Sequence, residues 1–438
     1  MRDFNSLSPA EALGLLDSTV SGLTVFGRVP KSEPMELLRA FIDLVIAGEL
    51  RLAASAYSNL TTSLLTCGAR RVSGNIWKDY ILDVMLLQDD PFARATASSR
   101  MDSAVFTAVR SDLALIQQLF SLDEELLASI AKDRARELSA KGRTPSDTAS
   151  AIATAAWGGG TVHHVPKEYK LPAPAPSFKY AFSWNYGEFG ITDSYFADEA
   201  LEGMYRRFLE EENWSELIDS LWNFHSTYGS GQFLRYRNFF FDGNGRDLKP
   251  MPDLRPGDFV PLAEGEYGKL INNAIAFMRD ECAKPMLLCG GHGMGKTTMM
   301  LELTDELPRL HLVYVTGGCG ELPALFEVLK QQPLKFMVLI DNLRPGQLEG
   351  IFEPLIPMNV LLAACSTEPM HSGLFEVTVT LPHLQLGEFV QTVHKLLEAR
   401  QLSLPIEVIR SACVDYQVDT RCEFNIASAV RIAELLQS

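Results

Sequence analysis

The stretch Gly290-Gly291-His292-Gly293-Met294-Gly295-Lys296-Thr297 restricts the fold of this chain more than any other. It fits G-x-x-x-x-G-K-[ST] at every fixed position, with the apolar run Met286-Leu287-Leu288-Cys289 ahead of it and a helical pattern over 297–307 behind it. Such a loop works only between a strand and a helix. Its backbone N–H groups must turn inward to cradle phosphate oxygens, and glycine alone takes the required dihedrals cheaply. The helix that follows adds the positive end of its dipole. The motif therefore assigns polyphosphate contacts to Gly290, Gly291, His292, Gly293, Met294, Gly295, Lys296, Thr297 and Thr298. Lys296 is expected to reach the β- and γ-phosphates, and Thr297 to place its hydroxyl on Mg²⁺.

A second run, Phe336-Met337-Val338-Leu339-Ile340, reads as a buried strand that ends on Asp341, about 45 residues past the motif. An acid at the carboxyl end of a parallel strand lies where open α/β sheets bind their ligands. Asp341 is thus the second expected protein contact to Mg²⁺; capping a helix is the other use of an aspartate there. Asn342 follows it, where many hydrolysing P-loop proteins carry a carboxylate. An amide can position water but cannot accept its proton. Glu349 is a substitute base if its loop folds back, and otherwise a solvated helix residue. The strand Asn359–Cys365 leads into Ser366-Thr367. Thr367 can offer its hydroxyl to the γ-phosphate or its attacking water, or serve an ordinary turn.

Strand-length runs at 286–289, 311–315, 336–340, 359–365 and 376–381 alternate with helical stretches at 297–307 and 322–331. That alternation predicts parallel βαβ units in a doubly wound α/β sheet with helices on both faces. After Gly387 the pattern is helical to the end. Helical periodicity also fills 35–65, 77–87 and 105–120, with Asp90-Pro91 as a break. Between Gly142 and Pro176 the composition shifts to Ala, Ser, Thr, Gly and Pro, and His163-His164 there reads as a solvated pair. The aromatics from Phe178 through Trp184, Trp214 and Phe239-Phe240-Phe241 read as a packed helical subdomain rather than as platforms for bases. The expected division is a helical N-terminal domain over 1–141, a linker or mobile loop over 142–177, an aromatic-rich helical subdomain over 178–250, a P-loop core over 251–383 and a helical lid over 384–438.

A formal net charge of -16 without any basic run makes nucleic acid an unlikely partner. Seven cysteines, an odd number without a CxxC pair, suggest neither a disulfide framework nor a zinc site and fit a reducing compartment. Cys289 and Cys365 fall in core strands. No stretch reaches the ~18 apolar residues needed to cross a bilayer, and Met1-Arg2-Asp3-Phe4 does not open like a signal peptide. A cytoplasmic protein without a membrane segment is expected.

The order of parts (P-loop, acid-terminated strand, polar sensor strand, small helical lid) resembles the AAA+ class of ATPases. More narrowly, the chain is similar to a bacterial family of AAA+-like P-loop ATPases known as domain of unknown function 815. That resemblance rests on Asp253-Leu254-Arg255 and Asn272-Asn273, then Met286–Thr298, Phe336–Leu343 and Asn359–Thr367, with weaker support from 77–92 and Gly229-Ser230-Gly231. It implies ATP with Mg²⁺, an ATP-driven machine or switch acting on a protein partner, and a homo-oligomer among the assemblies open to it. It also implies Thr367 as the γ-phosphate sensor and Arg421 or Arg431 as a second sensor in the lid. The chain departs from the pattern at Asn342, acidic in the family, and at Thr367, often Asn. The stretch Met370-His371-Ser372-Gly373-Leu374-Phe375 lacks the arginine that AAA+ proteins supply to a neighbour's γ-phosphate. No Asn-Lys-x-Asp guanine reader is present, and a kinase's acceptor base and arginine-rich lid are not found. Three functions stay open: an ATPase that remodels or regulates a protein, a hydrolysis-impaired nucleotide-gated interaction switch, and a DNA-associated loader-type ATPase.

Overall fold

The computed structural model describes residues 9–97, 103–140, 184–185, 196–243, 247–252, 264–348, 355–370, 373–421 and 423–437. The chain divides into two compact units, Met1–Ser226 with Ser230–Arg235, and Thr227–Gly229 with Tyr236–Ser438. The segment 142–177 with His163-His164, the aromatics Phe178, Tyr180, Phe182 and Tyr186, the triplet Asp253-Leu254-Arg255, and Glu349 all lie outside the described residues.

The first unit is helical, with α1 (Pro9–Ser21), α2 (Glu33–Ala47), α3 (Leu50–Thr66), α4 (Ile76–Leu86), α5 (Pro91–Ala97), α6 (Ser103–Phe120), α7 (Glu124–Ala140), α8 (Asp198–Glu210), α9 (Ile218–Tyr228) and α10 (Gln232–Arg235). The unbroken helical pattern over 35–65 is two helices. Gly48 ends α2 in the left-handed region at φ 83°, and a β-carbon there would sit 2.8 Å from Leu138 Cδ1. Periodicity runs through such a corner because both helices keep an apolar face. Asn75 caps α4 by accepting from the N–H groups of Trp77 and Lys78. The fully buried Trp77 and Trp184 stack with centroids 5.5 Å apart, and the Trp77 indole donates to Leu119 O at 2.7 Å. Trp184 and Trp214 are therefore core residues. Asp112 on α6 holds the irregular turn after α1. Its carboxylate accepts from the N–H groups of Thr24, Val25 and Phe26 at 3.0, 2.7 and 3.1 Å.

Two more buried carboxyls give this unit a pH dependence. Burial pushes Asp83 and Asp90 up to about 7, against the opposing pull of Arg235 and Arg70 on Asp83 and of the Ala93 N–H on Asp90. The Tyr205 hydroxyl donates to Asp83. A carboxyl that holds its proton more tightly folded than unfolded stabilises most below its unfolded value. That contribution falls as pH rises from about 4 to 7 and is flat above. The expected result is that Asp83→Asn with Asp90→Asn gains stability relative to the parent as pH goes from 5 to 8, by roughly 1–3 kcal/mol per site. Denaturant melts of both proteins at the two pH values measure this, and a pH-independent difference would contradict it.

The second unit is a sheet with a helical lid. Its strands are β1 (Asn238–Phe241), β2 (Lys249–Pro250), β3 (Met286–Cys289), β4 (Leu310–Val315), β5 (Lys335–Ile340), β6 (Val360–Ser366) and β7 (Val377–Thr380). Its helices are α11 (Glu264–Met278), α12 (Lys296–Glu306), α13 (Leu322–Leu329), α14 (Leu386–Ala399), α15 (Ile406–Thr420) and α16 (Ile426–Leu435). The strand order is β2-β1-β4-β5-β6-β3-β7, parallel except for the β1–β2 pair. β3 and β6 are buried along their whole length, as strands covered on both faces must be. The chain runs from β3 across the sheet to β4 and then steps back through β5 and β6 to β7. Right-handed connections in opposite directions place α12 and α13 on opposite faces, the doubly wound α/β arrangement expected.

Phe239-Phe240-Phe241 is strand β1, not part of a helix. Its residues pair with β4 in the register Phe239↔Val313, Phe240↔Tyr314 and Phe241↔Val315. Phe239 and Phe241 are fully buried and Phe240 is partly so, as suits aromatics in a strand flanked by β2 and β4, and pairing with β4 settles what periodicity leaves open. The lid continues the core: Phe389, Val393 and Leu396 of α14, Ile409 and Cys413 of α15, and Ala429 and Ile432 of α16 join the same apolar cluster as Leu288, Met300 and Leu361.

Candidate functional site

The carboxyl ends of β3, β5 and β6 meet at one point because β6 lies between the other two. The Gly290 N–H donates to Ser366 O at 3.2 Å, tying the start of the glycine loop to the end of β6. Leu343 N–H donates to Cys365 O at 2.7 Å and ties the residues after β5 to the same strand. Such a reversal point of an open sheet is where ligands bind.

The loop has the backbone that its glycines allow. Gly293 and Gly295 sit at φ 72° and 74°, in the left-handed region. Met294 is turned into the core, and His292 is exposed at the tip. Lys296 and Thr297 open α12, with Thr298 next, and all three are half-buried. The Lys296 ammonium donates to the carbonyl oxygens of Gly290 and Gly291, both at 2.8 Å. It is drawn back over a loop whose N–H groups are free of side-chain caps at the helix start. This is a cationic cradle matched to a polyphosphate.

The Thr297 hydroxyl donates to Asp341 Oδ1 at 3.0 Å, although 44 residues separate them. A hydroxyl and a carboxylate converging beside a phosphate loop form the hard-oxygen set that Mg²⁺ takes, so these residues fit the ion. Asn342 N–H donates to the same oxygen at 3.0 Å. Asn342 itself is exposed and left-handed at φ 54°, a conformation in which Asn is enriched several-fold. Thr367 lies half-buried one residue past β6. Its neighbour Ser366 is committed to the turn, donating to Glu368 O at 2.8 Å and accepting from Glu368 N–H.

Two contacts were not legible in the sequence. Tyr314, near the end of β4, donates its hydroxyl to Asp341 Oδ2 at 2.7 Å. Burial first, and the adjacent Asp341 carboxylate second, hold this phenol well above its ordinary range, so it stays a donor. Its place near the carboxyl end of a strand was a signal, but only the β4–β5 pairing gives it a partner. The second contact comes from the lid. Ala427 N–H, in the first turn of α16, donates to Gly293 O at 3.0 Å. A β-carbon at Gly293 would sit 3.0 Å from the Asn425 side chain. Arg431 is exposed one turn further along α16, and Arg421 closes α15 in the left-handed region at φ 52°. Burial pushes the Cys289 and Cys365 thiols up, so neither is a nucleophile at neutral pH.

This glycine cradle, its lysine and the Thr297–Asp341 pair sit at the centre of a matched segment. Residues 235–354 match the family described as "Protein of unknown function (DUF815)". The match runs from the residues before β1 through the P-loop and Asp341, and over those residues it bears out the expected resemblance to that family. Among solved structures, the Thermotoga maritima RuvB Holliday junction branch migration motor is 17% identical, with a TM-score of 0.27, over 40% of this chain and 70% of that one. A mutant form of the same RuvB is 16% identical with a TM-score of 0.27, over 40% and 69%. The Aeropyrum pernix ORC1 protein in complex with DNA is 18% identical with a TM-score of 0.30, over 41% and 60%. No curated protein matches the chain. Among the described residues no helix is long and apolar enough to cross a membrane.

Proposed function

We propose that the DUF815 segment forms the centre of a Mg²⁺-dependent ATP site, and that ATP hydrolysis there is coupled to remodelling or regulation of a protein partner. The observation that carries this reading is the Thr297–Asp341 pair at 3.0 Å beside the Lys296 cradle. Lys296 neutralises phosphate charge. Thr297 and Asp341 would hold Mg²⁺, which when bound supplies charge neutralisation at the transferred phosphate. Asn342 orients the attacking water, and Thr367 contacts the γ-phosphate. The helical N-terminal region selects the partner. Equilibrium ATP binding with and without Mg²⁺, together with phosphate release, tests the proposal. Phosphate release that requires Mg²⁺, and ATP binding that Mg²⁺ tightens, are expected, and a chain that binds no triphosphate under either condition refutes it.

A second reading is favoured by one position. Asn342 carries no carboxylate to take the water's proton, so hydrolysis can be slow enough for ATP to act as a ligand. ATP would then bias the lid through its differential affinity for two lid positions, by way of the Ala427–Gly293 contact. Phosphate release far slower than ATP dissociation is the expected signature of such a switch. The acidity of the chain keeps nucleic acid outside this proposal. Single-strand binding that weakens steeply with salt is the observation that would bring it in.

A further inference from the structure

We propose that Tyr314 is a positioning residue of this site, holding the Asp341 carboxylate in the one orientation that serves a metal's oxygen shell; the proposal rests on the nucleotide reading above. The two carboxylate oxygens have separate duties. Oδ1 accepts from Thr297 Oγ1 and from Asn342 N–H, both at 3.0 Å. Oδ2 accepts from Tyr314 Oη at 2.7 Å. The terminal torsion of an aspartate is broad and weakly restrained by its own sterics. Donors on both oxygens are what fix its plane.

The sheet sets the reach of Tyr314. β4 pairs with β5 in the register Tyr314↔Leu339, two residues before Asp341. The phenol is in turn held from the other side. Phe240 of β1 is its register partner and meets its ring edge-on, with centroids 6.0 Å apart and planes at 87°. β1 therefore supports the ring that supports the carboxylate. Hydrogen-bonded partners of this kind orient ligating groups, and losing one costs about 10–100-fold in metal affinity.

The test is Tyr314→Phe, which removes the hydroxyl and keeps the ring against Phe240. Binding of a fluorescent ATP analogue is followed as Mg²⁺ is titrated, and again in EDTA. The half-saturating Mg²⁺ concentration should rise about tenfold, towards the lower end of what such partners contribute, while affinity in EDTA stays the same. A part that only stabilised the fold would shift the melting temperature and both affinities together. Phe240→Leu, which leaves the hydroxyl but loosens the ring, should move the Mg²⁺ midpoint the same way by less. If the parent protein binds the analogue with Mg²⁺ and Tyr314→Phe leaves the midpoint unmoved, the role given to Tyr314 is overturned and the nucleotide reading stands. If the parent binds no triphosphate at all, both fall together.

Discussion

Lys296→Ala should lose about 3 kcal/mol of ATP affinity, roughly a hundredfold in Kd, because two charge-assisted contacts to phosphate disappear. Among the described residues the half-buried Lys296 ammonium bonds the carbonyl oxygens of Gly290, which is buried, and Gly291, which is half-buried. Its removal costs two hydrogen bonds of a half-buried side chain and no apolar packing, so the fold itself should change by about 1 kcal/mol, well short of the loss in ATP affinity. The contrast is the point of the experiment. ATP at a thousand times its Kd stabilises a binding-competent fold by about 4 kcal/mol. From nearly equal starting points, the parent should therefore melt markedly higher with ATP and Mg²⁺, and the variant by only about a third as much, because the same ATP is then only about ten times its Kd. Calorimetry and a thermal-shift series measure the two halves separately. An alanine variant that keeps its affinity would place the phosphates somewhere other than the glycine loop.

Asn342→Asp should raise the rate of phosphate release at saturating ATP and Mg²⁺, by at least tenfold out of the roughly 10²–10⁴ that a positioned acid or base contributes. The backbone permits the change. Asn342 sits at φ 54°, and Asp is among the residues that tolerate this region. The new carboxylate would lie beside Asp341, whose charge raises its proton affinity and makes it a better base. Single-turnover phosphate release is the proper readout, since steady-state rates can be limited by product. A rate that does not rise would mean that proton removal from water is not what limits this site. Asn342→Glu is the useful control, as a longer side chain there should tolerate the left-handed backbone less well and lower the melting temperature.

The glycine loop and Asp341 could be read directly because their chemistry leaves little choice of residue. Glycine takes φ 72° and 74° at the lowest cost, and an acid at the end of β5 supplies both an acceptor for Thr297 and the negative charge a cation needs. The helical character of the chain after Gly387 and the strands β3 to β7 were likewise visible from periodicity, but not the division of the former into three helices. What the sequence withheld depends on pairing. Nothing in 238–241 says that these residues lie beside β4, and without that neighbour Tyr314 is simply a strand tyrosine. The left-handed backbone of Asn342 was also hidden. Read as a missing base, Asn342 is equally a residue suited to its turn. The second-sensor expectation met a geometric fact: α16 meets the glycine loop through Asn425, Ile426 and the Ala427 N–H, while Arg431 stands exposed one turn on.

The bond from Ala427 to Gly293 O has a mechanical consequence. Were the peptide after Gly293 to turn towards an incoming anion, its carbonyl would turn with it, and α16 would either follow or release the bond. A tug at the mouth of the cradle would thus reach α16 through that hydrogen bond and through the Asn425 and Ile426 side chains beside it. The exchange rate of that one amide proton, read with and without nucleotide, would show whether the tail rides with the cradle or is released by it.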